Sequence, residues 1–208
     1  MTERAWRTMN KYKVIALFGY SCSGKDTIQK KMVSFPNTHK IISCTTREKR
    51  DYEQEGVDYY FVTHEQFAQK VMCGEILEAT IFQNNAYGTP INGLVEDKIN
   101  IGVFDSVGIE SLIADARIEV IPVFIVADDK VRLLRALNRE ATPDCEKICT
   151  RFLDEKKLFQ DLDFDYSIIH NDYKGVNNVD GMVQYMVENF DGIYNFKDIR
   201  VYRELGQL

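Results

Sequence analysis

The sequence predicts an α/β fold: a parallel sheet covered by helices and interrupted by a small α+β insert. Three observations carry this. Apolar strand-length runs alternate with helix-length segments, the order that yields a parallel sheet with helical crossovers. The first run, Val14 to Phe18, is apolar at every position, as a strand buried on both faces is. Between Arg47 and Tyr87 the rhythm changes to short strands around one helix.

Taken in order, the first strand ends in a glycine-containing turn, and a helix follows from about Lys25 to Ser34, stopped before Pro36. Further strands are expected at Lys40 to Ser43, Asn100 to Phe104, Glu119 to Val126 and Tyr166 to Ile169. The helices between them are expected at Glu65 to Met72, Ser106 to Ala114, Asp129 to Arg139, Cys145 to Phe159 and Val179 to Phe190. Inside the insert, Tyr59 to Val62 and Ile76 to Phe82 read as strands. From Asp191 to Leu208 the chain is mixed, with Tyr194, Phe196, Val201 and Tyr202 available for packing, and its role is open between a docked terminal helix and an oligomer contact. There is no internal repeat and no low-complexity linker.

Composition narrows the function classes. With 208 residues, 45% apolar and 28% charged, the chain suits one compact core carrying a mobile subdomain. A net charge of −6 argues against a general binder of nucleic acid or membrane surfaces, so any anion site must be a local concentration of cations. The five cysteines are odd in number and scattered, without the spacing of a zinc cage, and read as reduced thiols. Cys145 and Cys149 would share a helix face, but His39, His64 and His170 lie far off in sequence to complete a metal site. Met1 to Lys13 lacks the apolar stretch of a signal peptide, and no run approaches membrane-spanning length, so a cytoplasmic location is expected.

The strongest chemical signal is Gly19-Tyr20-Ser21-Cys22-Ser23-Gly24-Lys25-Asp26-Thr27, a GxxxxGK loop placed after a buried strand and opening a helix. Glycine lets the backbone wrap closely enough for its N–H groups to face phosphate oxygens, and the helix N-terminus adds a favourable dipole. Gly19, Ser21, Cys22, Ser23, Gly24, Lys25, Asp26 and Thr27 are therefore the candidate triphosphate cradle, with Lys25 neutralising the β and γ phosphates. Asp26 stands where Ser or Thr usually follows the lysine; it and Thr27 are the candidate oxygen ligands for Mg²⁺.

Four further blocks follow in order: Ser43-Cys44-Thr45-Thr46-Arg47-Glu48-Lys49-Arg50, Gly56-Val57-Asp58-Tyr59-Tyr60-Phe61-Val62, Gly74-Glu75-Ile76-Leu77-Glu78, and Tyr87-Gly88-Thr89. Together with the phosphate loop they make the chain closely resemble the guanylate kinases, from about Lys13 to Phe190. The resemblance implies a P-loop NTPase-type core (13–42 and 98–190), an insert for the nucleoside monophosphate (about 43–90), a helical lid (about 135–152) and a C-terminal extension (191–208). It also implies Mg²⁺-dependent phosphoryl transfer from ATP to GMP or dGMP, in a monomer or homodimer whose partners are small nucleotides, with no role for nucleic acid or membrane.

Carried to matching positions, the resemblance assigns Arg47, Arg50, Tyr59 and Tyr87 to the GMP phosphate, and Ser43, Glu78, Thr89 and Asp105 to guanine. The side chains suit these roles. Arginines three apart can converge on a dianion through charge-assisted bidentate bonds, with tyrosine hydroxyls as further donors. A carboxylate such as Glu78 accepts from guanine N1–H and the exocyclic amine together, which adenine cannot offer. The family's Asp-x-Gln-Gly pattern is replaced by Asp105-Ser106-Val107-Gly108, with Val103 where a second acid often stands. Arg135, Arg139 and Arg151, flanking a polar break at residues 140–144, match the lid cations that stabilise charge in phosphoryl transfer. Asn171, after the last strand, matches a residue near the adenine of ATP. Two rivals remain at this stage. One is a broader deoxynucleoside-monophosphate kinase, because Gly-Lys-Asp-Thr is similar to loops in some phage kinases. The other is a non-catalytic guanylate-kinase-like binding module, against which Lys25 and the lid arginines speak.

Overall fold

In the computed structural model of the protein, residues 12–82, 84–139, 142–160, 162–171 and 179–195 are described. Glu140 and Ala141, within the expected lid, and the C-terminal stretch 196–208, including Phe196, Val201 and Tyr202, lie outside them, as does the N-terminal stretch 1–11.

Five parallel strands form the main sheet: β1 (Tyr12–Phe18), β2 (Thr38–Lys40), β7 (Ile99–Val103), β8 (Ile118–Val126) and β9 (Ser167–His170), in the order β2-β7-β1-β8-β9. β1 lies at the centre, and its residues alternate between two cores. Ile15 and Leu17 join the cluster of Ile28, Met32, Ile101, Ile125, Ile169, Val183 and Met186, while Val14, Ala16 and Phe18 face Ile109, Leu112, Phe104 and Phe124. Burial on both faces explains the unbroken apolar run, since no position from Val14 to Phe18 can be polar without losing a core contact.

A second sheet of four strands belongs to the insert: β3 (Cys44–Thr45), β4 (Tyr60–Phe61), β5 (Ile76–Phe82) and β6 (Asn85–Pro90), ordered β4-β3-β6-β5. Helix α2 (His64–Met72) covers it through Phe67 and starts on a capping box in which Thr63 and Gln66 exchange side-chain and backbone bonds. Helix α1 (Lys25–Met32) follows the glycine loop, and α3 (Ser106–Ala114) follows β7. Helices α4 (Asp129–Leu137) and α5 (Cys145–Leu158) make the helical pair after β8; α6 (Val179–Glu188) and α7 (Phe190–Asn195) close the chain. Ile193 is buried in the first core cluster, so the beginning of the expected C-terminal extension packs on the sheet.

The sequence expectations differ from the structure at three strands. The strand expected at Lys40 to Ser43 is Thr38–Lys40, because pairing with β7 ends near Ile41, whose N–H still bonds to Ile101 O, before the chain turns into the insert. Cys44–Thr45 and Asn85–Pro90 are strands with no apolar run to announce them; they exist through pairing with each other and with β4 and β5.

Candidate active site

The phosphate loop runs from β1 to α1 at the C-terminal edge of the parallel sheet, where α/β folds gather their ligands. Two glycines shape it. Gly19, at φ +126°, lies so close to β8 that a Cβ would meet the Ile125 carbonyl oxygen at 2.4 Å. Gly24 is the left-handed N-cap of α1 at φ +95° and supplies no capping side chain, so the first N–H groups of the helix are left for a ligand. Lys25 reaches back over the loop, its Nζ donating to Gly19 O at 2.8 Å and Tyr20 O at 2.9 Å. Burial pushes its pKa down from 10.5 to about 8, with the carboxylates of Glu155 and Asp26 opposing the shift. The Ser23 hydroxyl is fully buried and has no hydrogen-bond partner among the described residues.

Side chains from distant elements hold this loop. Arg135, on α4, donates to Cys22 O at 3.0 Å and to Asn171 O at 3.2 Å. Asn171, just past β9, donates from Nδ2 to Ser23 O at 2.8 Å. Arg132, on α4, is fully buried; its guanidinium lies 4.2 Å from the centre of the Tyr20 ring and 4.3 Å from that of Phe152, and donates to Ser21 O at 3.0 Å.

The acceptor end is built on the insert. Arg47 lies 5.6 Å from the centre of the Tyr59 ring and hydrogen-bonds to Tyr87, while the rings of Tyr59 and Tyr87 meet edge to face at 6.1 Å. Glu53, 7% exposed, holds the Arg47 fork with bonds of 2.8 and 3.0 Å and accepts from the Arg50 N–H at 2.9 Å. These bonds to the Arg47 and Arg50 groups outweigh burial and hold the Glu53 carboxyl below its ordinary range. The four residues assigned to the monophosphate's phosphate thus converge on one spot. Asp26 has a small influence on the ionisation of both Tyr59 and Arg139.

Beyond the clamp, Glu78 sits in a register shift of the β5–β6 pair between Ile76 and Ala79, an irregularity of the kind that re-aims a side chain. It is 8% exposed, and burial, with a smaller push from Asp105, raises its pKa to about 7 against hydrogen bonds from Thr89. The Thr89 and Ser43 hydroxyls are 3.5 Å apart. Asp105 caps α3 by accepting from Gly108 N–H at 2.7 Å, and a Cβ built on Gly108 would lie 3.0 Å from Glu78 and 3.3 Å from Asp105. Ser43, Glu78, Thr89 and Asp105 therefore line one buried, acid-rich recess between the insert and α3. Val103 packs on the core, and Val107 is exposed on the first turn of α3.

Of the lid candidates, Arg135 touches the loop, Arg151 is paired to Glu155 at 3.1 Å, and Arg139 reaches the Tyr52 hydroxyl at 3.4 Å. That hydroxyl also accepts from Arg50 at 3.1 Å, which joins the lid to the acceptor clamp. The sequence reading missed Glu53, Arg132, Glu155 and Tyr52 as site-building residues. Glu53 follows Arg50 by three and Glu155 follows Arg151 by four, spacings that signal a local ion pair. Nothing local distinguishes Arg132 from a solvated helix arginine.

Metal ligation has a consistent but partial donor set. Among the described residues no group of three or more His, Cys, Asp or Glu side chains could hold a metal. Asp26 and Thr27 supply a carboxylate and a hydroxyl in the first turn of α1, which fits magnesium, since that ion takes one or two protein oxygens and completes its shell with phosphates and water. No helix among the described residues is long and apolar enough to cross a membrane.

Comparison with known proteins shows the family and the fold. The family model described as guanylate kinase matches residues 11–186. The guanylate kinase of Malacoplasma penetrans is 34% identical over 174 residues, 79% of this chain and 88% of that protein. That of Listeria innocua is 32% identical over 192 residues, covering 88% and 90%, and that of Mycoplasma mycoides is 30% identical over 209 residues, covering 96% and 68%. In fold, the crystal structure of guanylate kinase from Anaplasma phagocytophilum superposes with a TM-score of 0.64 at 23% identity, covering 92% of this chain and 90% of that one.

Proposed function

The chain belongs to the guanylate kinase family and is an ATP:GMP phosphotransferase, and from that premise we propose how its residues divide the work. Gly19, Ser21, Cys22, Ser23, Gly24, Lys25, Asp26 and Thr27 cradle the phosphates of ATP, with Asn171 bracing that cradle on the adenine side. Arg47, Arg50, Tyr59 and Tyr87 bind the phosphate of GMP or dGMP, and Ser43, Glu78, Thr89 and Asp105 select guanine. Residues 43–90 act as the acceptor subdomain and about 135–152 as the lid, on the core of 13–42 and 98–190. The enzyme works in the cytoplasm on free nucleotides, as a monomer or homodimer.

The observation that carries the reading is a buried acid recess at Glu78 and Asp105, an arginine–tyrosine clamp at Arg47 and Tyr59, and a Tyr52 hydroxyl that accepts from both Arg50 of the clamp and Arg139 just past α4. Guanine presents two adjacent donors, which a carboxylate deep in such a recess accepts together. The clamp then fixes the attacking phosphate oxygen at a set distance from the γ phosphate, and this positioning supplies a large share of the barrier reduction in phosphoryl transfer. Lys25, Arg135, Arg139 and Arg151 stabilise the charge that develops on the transferring group. Transfer is direct and in line: the acceptor oxygen bonds to the γ phosphorus as the bond to the bridging oxygen of ADP breaks, with no covalent enzyme intermediate. Asp26 and Thr27 would hold magnesium, whose chemistry at this place is neutralisation of phosphate charge. Closure of lid on insert excludes water and so limits ATP hydrolysis.

Replacing Lys25→Ala tests the division of roles. Turnover should fall by orders of magnitude while calorimetric affinity for GMP stays near that of the unaltered protein. Equal loss of GMP affinity would contradict the assignment of Lys25 to the ATP phosphates.

A further inference from the structure

The Glu155 carboxylate, on α5, accepts hydrogen bonds from four groups: the Ser21 N–H at 2.8 Å, the Ser21 hydroxyl, Arg132 Nη2 at 2.9 Å and Arg151 Nε at 3.1 Å. Its side chain is 13% exposed. Two of the four donors belong to the phosphate loop, and a third is a lid cation. Arg132 is the fixed member, sealed between the Tyr20 and Phe152 rings and bonded to the carbonyl of the same Ser21. It therefore anchors the carboxylate directly over the loop.

We propose that Glu155 is a resident anion of the phosphate loop, an α5 carboxylate just past the lid that occupies phosphate donors in the nucleotide-free protein and must yield them for ATP to bind. This rests on the reading of the loop as the ATP site. Two anions compete for one set of donors, and each raises the electrostatic cost of seating the other. The carboxylate keeps the loop's donors and cations satisfied when nucleotide is absent, and it weakens the donor's binding by the same interaction. Its displacement parts Glu155 from Arg151, so the lid arginine turns to the phosphates only as ATP arrives. Glu155 is thus a positioning residue for Arg151 and a determinant of donor affinity.

Calorimetry on the full chain with ATP and with adenosine, which has no phosphate, tests this. Glu155→Gln should bind ATP about tenfold more tightly than the unaltered protein, the scale of removing one screened charge from an anion site, with adenosine affinity unchanged. Glu155→Asp keeps a counter-charge for buried Arg132 while withdrawing the carboxylate from Ser21, which guards against a variant that fails to fold; it should tighten ATP binding by a smaller factor. A folded variant, judged by its thermal midpoint, that binds ATP no more tightly overturns the proposal. So does an equal change in adenosine affinity, which a general loosening of the loop would produce. Absence of ATP binding in the unaltered protein would instead remove the reading of the loop itself.

Discussion

Lowering the pH from 8 to 6 should raise the KM for GMP about tenfold through Glu78 alone. Its carboxylate must be ionised to accept from guanine N1–H and the amine, and burial sets its pKa at about 7. The ionised fraction then falls from about nine-tenths at pH 8 to about one-tenth at pH 6, and KM rises in inverse proportion. Turnover at saturating GMP should change far less, because the bound guanine donors hold the carboxylate ionised. The GMP phosphate has its own second ionisation near pH 6, about the value for phosphate esters, and contributes a separate decline. Glu78→Gln separates the two: it removes the first and keeps the second. It also presents a donor to a donor, and with charge-assisted bonds contributing about 1.5–3 kcal/mol each, kcat/KM for GMP should drop by roughly 10²–10⁴. AMP, which offers no such donors, should lose much less, so the preference for GMP over AMP narrows. The assay is coupled ADP formation at pH 6, 7 and 8 with both monophosphates. The same pH slope in the unaltered protein and in Glu78→Gln, or an unchanged base preference, would refute the placement of guanine against this carboxylate.

Two other residues give independent tests. Lys25 has its pKa lowered to about 8 by burial, so above that pH the free loop carries a neutral amine; ATP phosphates restore the proton. ATP binding at pH 9 should therefore take up close to one proton, visible as heats that differ between buffers of different ionisation enthalpy, and at pH 7 should take up almost none; equal heats in all buffers at pH 9 would contradict this. Glu53→Ala removes the carboxylate that fixes the Arg47 fork, and should raise the KM for GMP by about 10–100-fold with little effect on the KM for ATP, since a lost orienting pair is of order 1.5–3 kcal/mol; a parallel rise in both constants would show that Glu53 supports the fold rather than the clamp.

The parts legible in the sequence are those that local physics specifies. Val14 to Phe18 announces a central strand because both of its faces are buried, and the spacing of Gly19, Gly24 and Lys25 is a steric requirement of the loop, enforced here by Ile125 and by the left-handed Gly24. The gathering of Arg47 and Arg50 at Glu53 follows from basic residues three apart with an acid close behind, whereas the burial of Glu78 has no signal of that kind in its own strand. What escaped was set by tertiary pairing. Asn85–Pro90 carries an internal glycine and a terminal proline and becomes a strand only between β3 and β5. Arg132 reads as one more helix arginine until α4 packs it against Tyr20. Glu155 meets Ser21 across 134 positions of chain, a contact no window of sequence contains. Asp105, matched to guanine by the resemblance, also caps α3 while standing beside Glu78, a double placement that only the packing of α3 against the insert creates.

Most direct of all is to follow ADP release from ATP with GMP, dGMP, dTMP and AMP offered in turn, with and without magnesium. Metal-dependent release is expected with GMP and dGMP, and little with the other two. Release that ignores the identity of the base, or none with any monophosphate, would contradict it.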